Sequence, residues 1–372
     1  METWLAGTVA FAVTILLTPL VIGLAYRFNF LDLPTRKHPA ILHTKPTPRG
    51  GGVAPLLGFT LALSLIALIS PTFFLSKATV GIIIAAIFLV FIGVLDDKYD
   101  LHPYFRLVTN LVAVAIVVAA GIGITSFTNP FGGQVMLDSF IYTINLPSLF
   151  GFLAGPHTIV LLADLVAFIW IVWVMNAVNW SSGVDGQLSG IAAIALAVLG
   201  VAALQLSLRD PAQTFVAIIA FAAAGAYLGF LPWSFFPQKI MPGYGGATLA
   251  GFLIAVLAIL SGAKLATALL VLLIPLVDSL WTVVRRLASK RSPVWGDRLH
   301  LHHQLLKMGW SVPKICLFYY SIGLILGILA LGFDTQEKFF ALSVLGVLIF
   351  SLLFTGFMVL RKIGLGGNEN NN

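Results

Sequence analysis

The segment Ala78-Thr79-Val80-Gly81-Ile82-Ile83-Ile84-Ala85-Ala86-Ile87-Phe88-Leu89-Val90-Phe91-Ile92-Gly93-Val94-Leu95 runs without a charge and stops on Asp96-Asp97-Lys98-Tyr99-Asp100. A helix needs roughly 20 mostly apolar residues to cross about 30 Å of hydrocarbon, and this run is of that kind. Carboxylates set directly against such a span are costly to place and mark a functional candidate by default. The run also sets the reading of the whole chain, because ten further segments resemble it: about 3–25, 51–70, 104–124, 158–178, 187–207, 212–231, 245–261, 263–284, 314–333 and 338–360. With 59% hydrophobic and 9% charged residues among 372, and a mean hydropathy of +1.01, an ordinary soluble domain is excluded. The expected fold is an all-α polytopic transmembrane bundle of about 11 spans, forming one integral-membrane domain over 1–366 with a disordered Asn-rich tail at 367–372. The eighth and ninth spans are separated only by Ser261-Gly262-Ala263-Lys264.

The first run has no basic leader and no Ala-x-Ala site at its end, so it reads as a retained helix. Cytoplasmic loops collect Lys and Arg. Alternating the loops from 26–50 onward places every Lys and Arg on one side except Lys77, Arg209, Lys264 and Lys338. That predicts the N-terminus outside and the C-terminus in the cytoplasm of a multi-pass inner (plasma) membrane protein. The net charge of +7 is then a topology signal and a lure for anionic headgroups, with no nucleic-acid partner implied. On the outer side, 125–157 is expected to form a small hairpin built on Val135-Met136-Leu137 and Tyr142-Thr143-Ile144. Cys316 is the sole cysteine, which excludes an intramolecular disulfide and a Cys-based zinc site.

In this topology every polar motif with chemistry falls on the cytoplasmic side. Asp96 and Asp97, at a solvent-facing helix end, offer hard oxygen ligands for Mg²⁺, which typically takes one or two carboxylates together with substrate phosphate oxygens. A solvated acidic helix terminus is the alternative. His300-Leu301-His302-His303 lies in a basic stretch after Gly296-Asp297-Arg298-Leu299. Its imidazoles suit phosphate or sugar oxygens and proton transfer near neutral pH; a zinc site or a surface loop with incidental histidines are the other readings. Asn176-Ala177-Val178-Asn179-Trp180-Ser181-Ser182-Gly183-Val184-Asp185-Gly186 offers directional amide and carboxylate groups for a nucleobase or sugar, or is a plain polar connection.

Together these motifs resemble the polyprenyl-phosphate N-acetylhexosamine-1-phosphate transferases (glycosyltransferase family 4), the superfamily that includes phospho-MurNAc-pentapeptide translocase. Asp32-Leu33-Pro34-Thr35-Arg36-Lys37 and His43-Thr44-Lys45-Pro46-Thr47-Pro48-Arg49-Gly50-Gly51 look like its first cytoplasmic loop, and Leu95-Asp96-Asp97 like its paired-Asp motif. Asn176 to Gly186 is similar to its Asn-Ala-x-Asn-x-x-Asp-Gly-x-Asp-Gly loop, and Pro275-Leu276-Val277-Asp278-Ser279 before Arg285-Arg286 to its ninth-helix motif. Asp297 to His303 matches the His-x-His-His form, similar to members that use UDP-N-acetylhexosamines. The resemblance implies transfer of a sugar-1-phosphate from a UDP-sugar to a polyprenyl phosphate, the first membrane step of cell-envelope glycan assembly such as lipopolysaccharide or teichoic acid. It implies Mg²⁺, with Mn²⁺ as a substitute, and is compatible with a homodimer. Asp97 would hold the metal and Asp96 would orient or deprotonate the lipid phosphate. Lys45, Asn179 and Asp185 would serve the nucleotide side, Arg298, His300, His302 and His303 the diphosphate and sugar, and Asn176 and Asp278 would also bind substrate. Three positions depart from the pattern: Ser182 and Tyr244 stand where it has Asp, and Ser234 where it has Asn. A phenol, neutral below a pKa of about 10, is no substitute for a hard anionic ligand. Two further classes compete: a catalytically impaired member acting as a polyprenyl-phosphate-binding or scaffold protein, and a transporter, for which no inverted pair of broken helices is evident.

Overall fold

In the computed structural model, residues 1–34, 45–70, 76–146, 155–262, 264–290, 292 and 299–362 are described; the expected tail lies outside them. The span that opened the sequence reading is helix α3 (Lys77–Tyr99), and it crosses α8 (Gly243–Leu260) at a contact that only glycines permit. A Cβ on Gly93 would stand 2.1 Å from the Gly245 Cα, and one on Gly225 of α7 (Gln213–Ser234) 2.1 Å from the Gly7 carbonyl oxygen of α1 (Glu2–Arg27). Between apolar helices in lipid, such small-residue contacts let backbones approach and supply packing that the hydrophobic effect does not. Together with α6 (Gln187–Ser207), helices α7 and α8 form the most enclosed part of the bundle. Being apolar all round, they bury every face. Around them stand α2 (Val53–Ile69), α4 (Pro103–Ala119), α5 (Leu161–Trp180) and α12 (Val312–Gly332), while α13 (Thr335–Lys362) leaves Val344, Val347, Leu348 and Leu352 exposed, as a lipid-facing helix does.

All eleven expected spans fall on helices. Among the described residues eight helices are long and apolar enough to cross a membrane, α2 and α4 are shorter apolar helices, and the remaining segment is a bent helix pair, a broken span or a re-entrant loop. It divides at Leu272 into α9 (Leu265–Val271) and α10 (Leu273–Ala288), bent by 85°. The chain is thus a polytopic all-α membrane protein.

The segment expected on the outer side differs from its expectation. Val135 and Tyr142 belong to two separate hairpins: β3 (Ser126–Thr128) with β4 (Gln134–Met136), and β5 (Ile141–Leu146) with β6 (Gly155–Val160). The reason is local. Asn129 donates its N–H to the Gly133 carbonyl, and Gly132 and Gly133 take positive φ of 117° and 75°, so the chain reverses before Val135 and gives that run a partner upstream.

On the opposite side the loops are tied together. Strands β1 (Leu31–Asp32) and β2 (Thr47–Pro48) pair in antiparallel register, Asp32 opposite Thr47. Met241 N–H donates to the Pro48 carbonyl at 2.8 Å and Gly51 N–H to the Met241 carbonyl at 3.0 Å. The first polar loop therefore lies edge to edge with the α7–α8 connection. A short helix, α11 (Leu301–Lys307), carries the histidines; the sequence had read this stretch as loop.

Candidate functional site

The polar ends of α3, α4, α5, α6, α8, α10 and α11 open onto one cavity of about 1070 Å³. Its acidic wall begins where α3 ends. Asp100 takes the left-handed conformation (φ 51°) as C-cap, His102 caps α4, and Pro103 fills the first turn, where a missing N–H costs nothing. This tight reversal brings Arg106 back over α3, where its Nε donates to Asp96 Oδ1 at 2.5 Å. Leu101 N–H donates to the same oxygen at 3.1 Å. Asp97 is satisfied differently: Gly50 N–H donates to Oδ2 at 3.0 Å and Tyr244 N–H to Oδ1 at 3.2 Å. Gly243, at φ 67°, is required here, since a Cβ would fall 1.9 Å from Asp97 Oδ2. Asp96 and Asp97 are only 4% and 7% exposed, which corrects the expectation of a solvent-facing acidic end. A buried carboxylate must be paired or hydrogen-bonded, and both are.

Tyr244 is built into this wall. Its hydroxyl donates to Asn110 Oδ1 at 3.1 Å and reaches the Arg106 carbonyl at 3.2 Å, while the Arg106 guanidinium lies 5.4 Å over its ring. Arg49 donates to the Asp97 carbonyl at 2.9 Å and stands 3.9 Å from Asp32. Among the described residues no three His, Cys, Asp or Glu side chains gather as a ligand set. Each Asp97 oxygen nevertheless keeps a lone pair beyond its single N–H partner. The donor set therefore fits Mg²⁺ in the open manner usual for that ion, one or two carboxylates completed by substrate phosphate oxygens and water.

The opposite wall is imidazole. Asp278, 1% exposed on α10, accepts from His300 Nδ1 at 2.8 Å and from Leu301 N–H at 3.0 Å. It is not among the residues lining the cavity; its contacts orient His300 and start α11. Donation from Nδ1 leaves His300 Nε2 as the second valence. His302 stacks on His300, with ring centroids 5.8 Å apart, and is 1% exposed. Neither of its ring nitrogens has a hydrogen-bond partner among the described residues. Burial, then the neighbouring His303 and His300, push its pKa well below the usual 6.5; it is neutral at pH 7, with one nitrogen to donate and one to accept. Gly183 gives it room, since a Cβ there would meet His302 Nε2 at 1.8 Å. Arg286 lies 5.3 Å over the Trp180 ring, beside His300.

Asn176 and Asn179 line the cavity between the walls, Asn176 donating to the Val172 carbonyl at 2.8 Å. Asp185 lines it as well, its Oδ2 accepting from Gln238 N–H at 3.1 Å. Ser182 donates to the Asn179 carbonyl at 2.6 Å, and Ser234 pairs with Ser189 at 2.7 Å; both departures are internally satisfied. Lys45 is exposed just before β2 and is not part of the lining, because the β1–β2 pairing directs the chain inward only from Thr47 onward. Arg298 lies outside the described residues. Sequence reasoning left Arg106, Asn110 and Arg286 out of the site. The signal for Arg106 was present: an arginine inside an apolar run is expensive and is a functional candidate by default.

A membrane bundle whose polar loops gather three arginines, three buried imidazoles and paired carboxylates around one cavity defines a polytopic membrane protein with a site for an anionic ligand. The family model described as glycosyl transferase family 4 matches residues 79–262. The chain is 26% identical, over 94% of its length and 90% of the relative's, to a probable undecaprenyl-phosphate N-acetylglucosaminyl 1-phosphate transferase of Bacillus subtilis. It is 29% identical to a decaprenyl-phosphate N-acetylglucosaminephosphotransferase of Mycolicibacterium smegmatis, covering 99% of this chain and 91% of that one. It is 28% identical to a phospho-N-acetylmuramoyl-pentapeptide-transferase of Desulforudis audaxviator, covering 88% and 96%. Over residues 79–262 the chain is thus similar to glycosyl transferase family 4.

Proposed function

We propose that this protein transfers N-acetylhexosamine-1-phosphate from a UDP-sugar to a polyprenyl phosphate at the cytoplasmic face of the membrane, in an eleven-span topology with the N-terminus outside. The observation that supports it best is the division of the cavity into a carboxylate–arginine wall and an imidazole wall on either side of Asn176, Asn179 and Asp185. In this reading the lipid phosphate meets the acidic wall, where Asp96, fixed by Arg106, orients it or accepts its proton. The nucleotide is held at Asn179 and Asp185. His300 and His302 offer neutral donors and acceptors to the diphosphate and sugar, and Arg286 adds charge that matches phosphate oxygens. An oxygen of the lipid phosphate attacks the β-phosphorus, the bond from that phosphorus to the bridging oxygen breaks, and UMP leaves with that oxygen. Such a transfer depends mostly on positioning and charge neutralisation. Mg²⁺ held at Asp97 and by substrate oxygens would supply the neutralising charge on the diphosphate.

A second reading has one specific observation in its favour. Tyr244 fills the position of an expected carboxylate with a phenol already committed to Asn110 and Arg106, as suits a family member that retains the lipid phosphate without turning over. The deciding experiment incubates purified protein with undecaprenyl phosphate, radiolabelled UDP-N-acetylhexosamines and Mg²⁺. Lipid-extractable label with equimolar UMP is the expected result; binding of the lipid without either product favours the second reading.

A further inference from the structure

Helix α12 lies beyond the stretch matched by the family model, and two of its side chains grip the Asp185 turn from below. Tyr320 Oη donates to the Gly186 carbonyl at 2.6 Å and Cys316 Sγ to the Asp185 carbonyl at 3.1 Å. The two donors are four residues apart, hence on one helix face. Cys316 is fully buried. The Tyr320 ring occupies space that α6 leaves by having glycine at 190, where a Cβ would fall 2.1 Å from Tyr320 Cζ. Gln238 N–H holds the Asp185 carboxylate from the side. The turn thus has both carbonyls and one carboxylate oxygen fixed by three separate contacts, while the rest of Asp185 faces the cavity.

We propose that Tyr320 and Cys316 are positioning residues for the nucleotide side of the site: they set the height and tilt of the Asp185–Gly186 turn and so the affinity for the UDP moiety, leaving the lipid side untouched. The proposal rests on the transferase reading above. Supporting contacts of this kind hold a functional side chain within a fraction of an ångström of its productive place. The acidic wall is tied to the backbone after β2 and to α4 instead, so the tether acts on one substrate only.

The test uses the full chain and measures initial rates with UDP-N-acetylglucosamine and undecaprenyl phosphate varied separately. Tyr320→Phe, which removes only the hydroxyl, is expected to raise KM for the UDP-sugar about threefold to tenfold, as loss of one buried hydrogen bond would. The KM for the lipid and kcat stay within a factor of about two on the same grounds. Cys316→Ala is expected to act in the same direction, and Cys316→Ser, which keeps a donor, to restore the wild-type KM. Because Cys316 is the sole cysteine, its alkylation by N-ethylmaleimide reports the tether without turnover and is expected to speed up in Tyr320→Phe. Equal rises in both KM values, a fall in kcat alone, or an unchanged alkylation rate would overturn the proposal. A wild type that transfers no label overturns the reading of the site instead, and the tether is then decided by alkylation alone.

Discussion

The acidic and imidazole walls of the cavity are equally buried and oppositely finished. On the acidic wall each of the paired carboxylates is held by two donors: Arg106 and Leu101 on Asp96 Oδ1, Gly50 and Tyr244 on the two oxygens of Asp97. On the imidazole wall Asp278 is spent on His300 and Leu301, yet His302 keeps both nitrogens without a partner among the described residues. Buried polar groups without partners are rare and usually mark strain, catalysis or a ligand. The difference teaches that the acidic wall is pre-assembled and changes little when a ligand arrives, whereas the imidazole wall is completed by the ligand.

The comparison is broken most severely at Asp97. Asp97→Asn turns one oxygen into an N–H₂ group facing a backbone donor, Gly50 or Tyr244, and removes the charge that the proposed metal needs. Transfer is expected to fall by about a thousandfold or more, on the scale of losing a principal electrostatic contact. Contrary to what a solvent-facing position would imply, the variant is also expected to lose about 1–3 kcal/mol of stability, because a buried backbone donor is stranded. Turnover by the transfer assay and thermal unfolding in detergent give the two numbers. Retained turnover would remove Asp97 from the site.

A smaller effect sharpens the same wall. Tyr244→Asp replaces a phenol bound to Asn110 and the Arg106 carbonyl by a shorter carboxylate near Asp97 and Arg106. One added charge at close range is worth about 1 kcal/mol or more, so the Mg²⁺ concentration for half-maximal transfer is expected to drop about tenfold, with turnover raised. If the wild type already turns over fully and Tyr244→Asp lowers the rate, the phenol is a working part of the acidic wall and the scaffold reading is wrong.

How far this contrast was legible in the sequence varies residue by residue. The spans follow from composition because lipid demands long apolar helices, and Asp96-Asp97 stands out because carboxylates are costly there. The break at Leu272 was hidden: an 85° bend inside a continuous apolar run leaves no polar mark. The contacts of Asp278 with His300 and Leu301 were not legible, since sequence shows a carboxylate near a site but not whether it faces the cavity or a histidine behind it. Arg106 was missed because its partner Asp96 is met only through the left-handed turn at Asp100, a conformation that an aspartate tolerates without announcing. Lys45 was drawn in by its motif, and the two-residue strand pairing that it precedes is too short a pattern to read from alternation.

The mildest test distinguishes the walls by pH. His302 is buried and neutral, with its pKa pushed well below 6.5 by burial and by its two histidine neighbours, so the unfolded chain takes up a proton at this residue before the folded one does. The sign follows from linkage: above the unfolded value His302 contributes nothing to the pH dependence, and as pH falls below about 6.5 the folded state loses about 1.4 kcal/mol per pH unit relative to the unfolded one. That loss continues until the folded-state value is reached. His302→Leu removes the titrating group, and replacing an unpartnered polar side chain by an apolar one of similar size costs little. Thermal unfolding from pH 7.5 to 5.5 is therefore expected to show a steeper acid loss in the wild type than in His302→Leu, with similar midpoints at pH 7.5. Saturating UDP-sugar donor should not flatten the variant further. Identical pH profiles would mean that His302 is already hydrogen-bonded in the folded protein, and the two walls would then be finished alike.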